Sequence, residues 1–199
     1  MATDDLRRVV LDASLDLIEE QGLGALSMRE VARRAGVSHQ APYHYFQDRE
    51  GILAAIAMEG FTQLHAAMHR VAEKESDPVE RLNAIGRAYV TFAARHPAHF
   101  KIMFRSELVA VERHAALHEE AEGAFAFVTS IVREAVESSG ARRVSDPLPF
   151  AIAAWSLVHG ASTLLLEGKL DQHFGSRPAK RLKGALAAVE AFGELLRGA

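Results

Sequence analysis

Three groups of residues in this chain of 199 have side chains and spacings suited to chemistry. His114, His118 and Glu122 stand at i, i+4 and i+8, which on one helical face would align two imidazoles and a carboxylate as zinc ligands. The set lacks the acid beside its first histidine that a His-Glu-x-x-His hydrolase uses, and Glu112, Arg113, Glu119 and Glu120 crowd it. A solvated charged face is therefore the expectation, with no metal. Trp155 and His159, four apart in an uncharged segment, would share one helical face as interior hydrogen-bonding groups or as a cavity wall. The third group is the polar and aromatic run Ser38-His39-Gln40 with Tyr43, His44 and Tyr45, which follows a glycine at position 36. No glycine-rich phosphate loop and no compelling nucleophilic triad can be read, so neither an enzyme nor a cofactor is expected.

Strong local signals position that third group. Leu6, Val10, Ala13 and Leu17 mark a first helix from about Asp4 to Glu20, ended by Gly22. Ser27 as N-cap and Glu30 three residues on form a capping box for a short helix from Met28 to Ala35. Gly36 supplies a left-handed turn, and Ser38 is expected to cap a two-turn helix from His39 to about Phe46, with Pro42 near its start. Either Tyr43 or Phe46 anchors it in the core. Two short helices crossed at a tight turn project the second outward, as entry into a DNA major groove requires.

The remainder also repeats its apolar residues with a helical period, and no segment alternates as a strand. Asp48 caps a fourth helix that reaches Val71 or Glu73. Asp77-Pro78-Val79-Glu80 starts a fifth, closed by His96-Pro97. A short piece from Ala98 to Phe104 follows, then a long helix over about Leu108 to Ser138 and a loop from Gly140 to Ser145. An uncharged helix runs from Asp146-Pro147 to near Gly168, and a last one from about Ala179 to Leu196. The expected fold class is all-α, with about nine helices. An N-terminal three-helix helix-turn-helix domain (residues 1–50) is joined to a C-terminal helical bundle (residues 51–199).

Composition narrows the setting. The absence of cysteine excludes disulfides and thiolate metal sites and suits a reducing cytosol. No basic leader with an apolar block opens the sequence, so a cytoplasmic location is expected. A net charge of -3 gives no global sign of nucleic-acid binding, which must then rest on a local surface. Residues 147–166 contain no Asp, Glu, Lys or Arg, yet Ser156, His159, Gly160, Ser162 and Thr163 interrupt them. A buried or interface helix is expected there rather than a membrane span.

The run Ser27-Met-Arg-Glu-Val-Ala-Arg-Arg-Ala-Gly-Val-Ser-His-Gln-Ala-Pro-Tyr-His-Tyr-Phe46, followed by Gln-Asp-Arg-Glu50, resembles the TetR/AcrR family of transcriptional regulators. With the preceding helix the resemblance covers about the first fifty residues. Many members carry Leu where this chain has Pro42. The pair Pro42-Tyr43, with His96-Pro97, Phe100, Met103, Phe104 and Trp155-Ser-Leu-Val-His159-Gly160, is similar to a subgroup with a WHG-type C-terminal domain.

The resemblance implies a sequence-specific regulator of double-stranded DNA, a repressor released from a near-palindromic operator by a small apolar effector. It also implies roles. Ser27 and Arg29 meet phosphates at the start of the second helix; His39 and Gln40, next to Ser38, read base edges, Gln40 by a bidentate contact to adenine. Tyr43 and His44 position the backbone with help from Tyr45, Arg49 clamps another phosphate, and Arg7 and Arg8 reach in from the first helix. Between Ser27 and Glu50 four arginines oppose three acids, a net of +1, with Glu30 and Arg34 spaced as an i,i+4 pair. In the body, Tyr89, Phe92, Phe100, Phe104, Phe125, Trp155 and His159 are the expected cavity lining, with His96 and His99 as further polar handles. Gly160, beside Ala153, Leu157, Ala161 and Leu164, allows close helix approach, and a homodimer through the two C-terminal helices follows from the resemblance. Two other accounts compete: a helical metal-dependent enzyme built on His114 and His118, and a helical interaction protein that no longer binds DNA.

Overall fold

A computed structural model describes residues 3–138 and 146–197, and there the chain is all-α. Helix α1 covers Thr3–Gln21 and is followed by a 3-10 turn, Leu23–Ala25, and by α2, Met28–Ala35, and α3, Ala41–Phe46. Then come α4 (Arg49–Ala72), α5 (Pro78–Arg95), α6 (Pro97–Met103), a 3-10 turn (Val111–Arg113) and α7 (Ala115–Ser138). Helices α8 (Leu148–Leu166), α9 (Asp171–Phe174) and α10 (Pro178–Arg197) complete the order. The loop expected at Gly140 to Ser145 lies outside the described residues.

The chain forms two compact units, Met1–Phe61 with Pro97–Glu120, and Thr62–His96 with Ala121–Ala199. These units are divided by packing and differ from the expected functional domains 1–50 and 51–199. The first half of α4 belongs with the helix-turn-helix, and α6 with the turn after it returns to the same unit.

In the first unit Val10, Leu17, Val31, Ile52 and Ile56 are wholly buried. The Ser27 hydroxyl accepts from the Glu30 N–H at 3.2 Å, one arm of the capping box. The other arm is absent, because the Glu30 carboxylate turns to Arg33 Nε at 2.9 Å. Gly36 adopts φ 65° and ψ 29°, the left-handed conformation that closes α2.

Helix α3 begins two residues later than expected. Its N-cap is Gln40, in helical conformation and without a side-chain cap bond, while the Ser38 carbonyl closes a turn onto the Ala41 N–H at 3.0 Å. Pro42 explains the shift. With Ser38 as cap, Pro42 would fall at the fourth helical position and delete the first internal hydrogen bond; with Gln40 as cap it sits at the second, where the missing N–H had no partner to lose.

The corner into α4 is tight. Gln47 has φ 61°, the Asp48 N–H reaches the Phe46 carbonyl at 2.6 Å, and Asp48 Oδ1 caps the Gly51 N–H at 2.8 Å. A Cβ on Gly51 would lie 1.9 Å from the Phe46 carbonyl oxygen, so only glycine fits.

The helix expected from Leu108 starts instead at Ala115. Residues 104–110 wind through turns that bury Val109 and bring the Ala110 N–H within 3.4 Å of Glu50 Oε1.

In the second unit α5, α8 and α10 pack around Val90, Leu165, Ala185 and Val189. Asp77 caps α5 through the Glu80 N–H at 2.8 Å, with Pro78 at its first position. The one-turn α9 is an element beyond those expected. Helix α8 buries only Ala151, Ala154, Ser162 and Leu165, and leaves Leu148, Phe150, Ile152 and Leu164 between 37% and 47% exposed. By length and composition it could cross a membrane, with a mean hydropathy of 1.4. A Cβ on Gly160 would meet nothing within 4 Å, so the close approach expected there is not made among the described residues of the chain.

Candidate functional site

Helix α3 is amphipathic in six residues. Pro42 and Phe46 are buried, which settles Phe46 rather than Tyr43 as the anchor. Ser38, His39, Gln40, Tyr43 and His44 are exposed, and they form one polar surface, because the turn before α3 sets His39 beside Tyr43 and the Gln40 carbonyl accepts from the His44 N–H at 3.1 Å. The His39 and Tyr43 rings lie 5.9 Å apart, tilted by 33°. Tyr45, about 200° around the helix from Tyr43, is not on this surface. It lines a groove with Arg7, Glu50, Arg113 and His114 and packs edge-on to His44 at 5.0 Å.

The arginines divide differently from expectation. Arg49 donates from Nε to the Leu26 carbonyl at 3.0 Å and from Nη2 to the Leu23 carbonyl at 3.1 Å, so it ties α4 to the 3-10 turn rather than reaching outward as a phosphate clamp. Arg7 lies over the Phe46 ring at 5.0 Å, and Arg8 bonds Asp12 at 2.8 Å and Glu59 at 2.7 Å. Arg34 pairs with Glu20, not with Glu30. Arg33 pairs with Glu30 and holds its carboxyl below the usual range. Of the arginines in the first fifty residues, Arg29 is exposed and has no such partner among the described residues. It sits one position inside the α2 N-terminus, next to Ser27, where unpaired N–H groups favour an anion.

The second unit holds a separate polar relay in an apolar setting. Trp155 Nε1 donates to the Tyr89 hydroxyl at 3.2 Å, and that hydroxyl stands 3.0 Å from His159 Nδ1. Burial pushes the Tyr89 phenol up and the His159 imidazole down, so both groups are neutral. Trp155 therefore always donates into this group, while the direction of the Tyr89–His159 bond follows the imidazole tautomer.

Tyr89 and Trp155 line a cavity of ≈ 40 Å³ with Met68, Asn83, Val158 and Phe192. Asn83 is 7% exposed and presses so closely on α10 that a Cβ at Gly193 would meet its Oδ1 at 1.9 Å. Sequence reasoning passed over this residue, although a lone Asn amid Leu82, Ala84 and Ile85 was the available signal. The other expected lining residues are placed elsewhere. Phe125 touches the cavity only through Trp155, at 5.6 Å between rings, and Phe92 stacks on His96 at 4.9 Å. Phe100 and Phe104 belong to the first unit, where Phe104 packs against Phe61 at 5.4 Å. His99 is buried there, 3.7 Å from Glu59.

The histidine–glutamate alignment also dissolves. His114 lies before α7 begins, and its Nε2 faces Glu50 Oε1 at 3.7 Å. Among the described residues no group of three or more His, Cys, Asp or Glu could hold a metal ion.

Comparison with known proteins matches residues 82–189 to the family described as tetracyclin repressor-like, C-terminal domain. A structure described as a protein with unknown function from Rhodococcus sp. RHA1 is 31% identical, with a TM-score of 0.76 over 96% of this chain and 93% of that one. The regulator FadR from Bacillus subtilis, solved in complex with stearoyl-CoA, is 18% identical with a TM-score of 0.72, covering 95% of this chain and 96% of that one, a likeness of fold alone. The HTH-type transcriptional regulator BetI of Klebsiella pneumoniae (strain 342) is 40% identical over 81 residues, 40% of this chain. The match spans 42% of BetI's length. Residues 10–56 match the family described as bacterial regulatory proteins, tetR family, and with the C-terminal match this chain belongs to that family.

Proposed function

We propose that the protein is a sequence-specific transcriptional repressor that binds a near-palindromic operator as a homodimer and leaves it when a small effector binds. The observation that carries this reading is the exposed row Ser38, His39, Gln40, Tyr43 and His44 on a helix anchored by Pro42 and Phe46. His39 and Gln40 precede the first helical residue and read base edges, Gln40 by a bidentate contact to adenine. Ser27, Arg29, Tyr43 and His44 hold phosphates. With most arginines engaged inside the protein, phosphate contacts per subunit are few, and two linked subunits supply the affinity.

The second copy docks on the exposed face of α8, where Ile152, Gly160 and Leu164 stand open, together with the outer face of α10. A two-fold pair of recognition helices then meets half-sites about 34–36 Å apart. The effector enters beside Asn83, Tyr89 and Trp155. A cavity of ≈ 40 Å³ has room for a few atoms, not for a long acyl chain like that in the FadR complex, so the effector is small and apolar or the helices around the cavity part to admit it.

Selection of bound duplexes from a random library tests the function. The expected product is an enriched sequence of two inverted half-sites one helical turn apart. Recovery of unselected sequence, with equal affinity for every duplex, overturns the proposal and leaves an interaction protein as the reading.

A further inference from the structure

Helix α4 carries two histidines in its second half, His65 and His69, whose Nε2 atoms are 3.1 Å apart. Two nitrogens bound to one zinc ion at about 2.0–2.1 Å and a tetrahedral angle are separated by roughly 3.3 Å. The pair therefore stands within a few tenths of an ångström of the bite of a single metal ion. Phe127 on α7 walls the pair. Its ring stacks on His69 at 3.8 Å between centroids and 22° between planes, and lies 5.7 Å from that of His65. One turn earlier on α7, even a Cβ at Gly123 would lie 3.8 Å from His65 Cε1, an ordinary contact that crowds nothing. Rings held in this way lose less freedom when an ion binds.

We propose that His65 and His69 form a bidentate site for one divalent transition-metal ion of the copper, nickel or zinc type. Imidazole nitrogen favours these ions, whereas magnesium and calcium take oxygen ligands. The empty pair is joined by an N–H···N contact. On binding, the donor ring moves its proton from Nε2 to Nδ1, and both Nε2 lone pairs face the ion. No third His, Cys, Asp or Glu completes a cage among the described residues, so water fills the other positions and the ion exchanges freely. The site is separate from the recognition surface of α3 and from the Tyr89 cavity, and its readout does not depend on DNA binding.

Calorimetric titration of the full chain with Cu²⁺ and with Zn²⁺ tests this. The chain has ten histidines, so the control is a double variant at another pair, H114A/H118A. The expected result is one site per chain, tighter for copper than for zinc, weakened about tenfold or more by H69A and by H65A and unchanged in the control. His69 is exposed, so H69A retains the fold, and thermal melts supply a second readout. Zinc raises the Tm of the wild type and not that of H69A. Binding that survives the double change H65A/H69A overturns the proposal, as does a wild type that binds neither ion at up to about 100 μM.

Discussion

Helices α3 and α8 both leave large side chains uncovered, but of opposite kinds. The short α3 and the turn before it expose hydrogen-bonding groups, His39, Gln40, Tyr43 and His44, which water satisfies equally well when nothing is bound. The long α8 exposes carbon: Leu148, Phe150, Ile152 and Leu164. Fully burying such a side chain is worth about 1.5–3 kcal/mol, and in the lone chain about two-fifths of that is unrealised. A polar face suits a partner that arrives and departs, whereas an apolar one suits a partner that stays. Under the proposed function, the comparison separates a reversible contact with DNA from a lasting contact with a second copy of the chain.

The largest test of that difference is a charge on α8. Leu164→Glu is expected to give a folded monomer by sedimentation and at least about a hundredfold weaker binding to the selected operator, because a carboxylate in an apolar interface costs several kcal/mol. A dimer that survives the change would remove the distinction. Gly51→Ala attacks the other region through its support. The methyl group meets the Phe46 carbonyl, and a stability loss of about 1–3 kcal/mol by denaturant titration should accompany weaker binding to every duplex.

Two substitutions on the polar face should part company. Gln40→Ala is expected to erase about 1–3 kcal/mol of preference at one base position with no change in Tm. Arg29→Ala should weaken all sequences alike and reduce the salt slope by about one. If both acted only on Tm, the surface would be structural.

The smallest effect concerns pH. Burial lowers the His159 pKa in the folded chain, so the unfolded chain binds the proton more readily. This contribution to stability is complete above the ordinary histidine pKa of about 6.5 and is lost as the pH falls through it towards the folded value. Between about pH 7 and pH 5 the Tm should therefore fall slightly more in the wild type than in His159→Gln, a difference kept small by the half-exposed ring. Parallel slopes would show that the relay to Tyr89 does not hold the imidazole neutral.

What the sequence disclosed was local. Ser27 before Glu30, Asp48 before Gly51 and Asp77 before Pro78 each cap the helix that their spacing forecasts, because the groups that bond are three residues apart. What it hid depends on distant neighbours. Arg49 looks like any solvent-facing arginine until the Leu23 and Leu26 carbonyls are folded against it. Residues 104–114 contain neither glycine nor proline, so nothing in their composition announced the turns that replace a helix there. Phe100 and Phe104 share the aromatic character of Tyr89 and Trp155, and only the return of α6 to the first unit separates them. The spacing of His65 and His69 was visible, but the convergence of their nitrogens required rotamers set by Phe127 on another helix.

The uncharged length of α8 also bears on how the gene for this protein can be cut. Nineteen residues without a charge match what the insertion machinery of a cell accepts as a span, and part of the cover on α8, beside that from α5, comes from residues synthesised afterwards, in α10. A reporter fused soon after Leu166 would offer that machinery a partly uncovered substrate. Fusions placed beyond α10, or before Asp146, avoid the error.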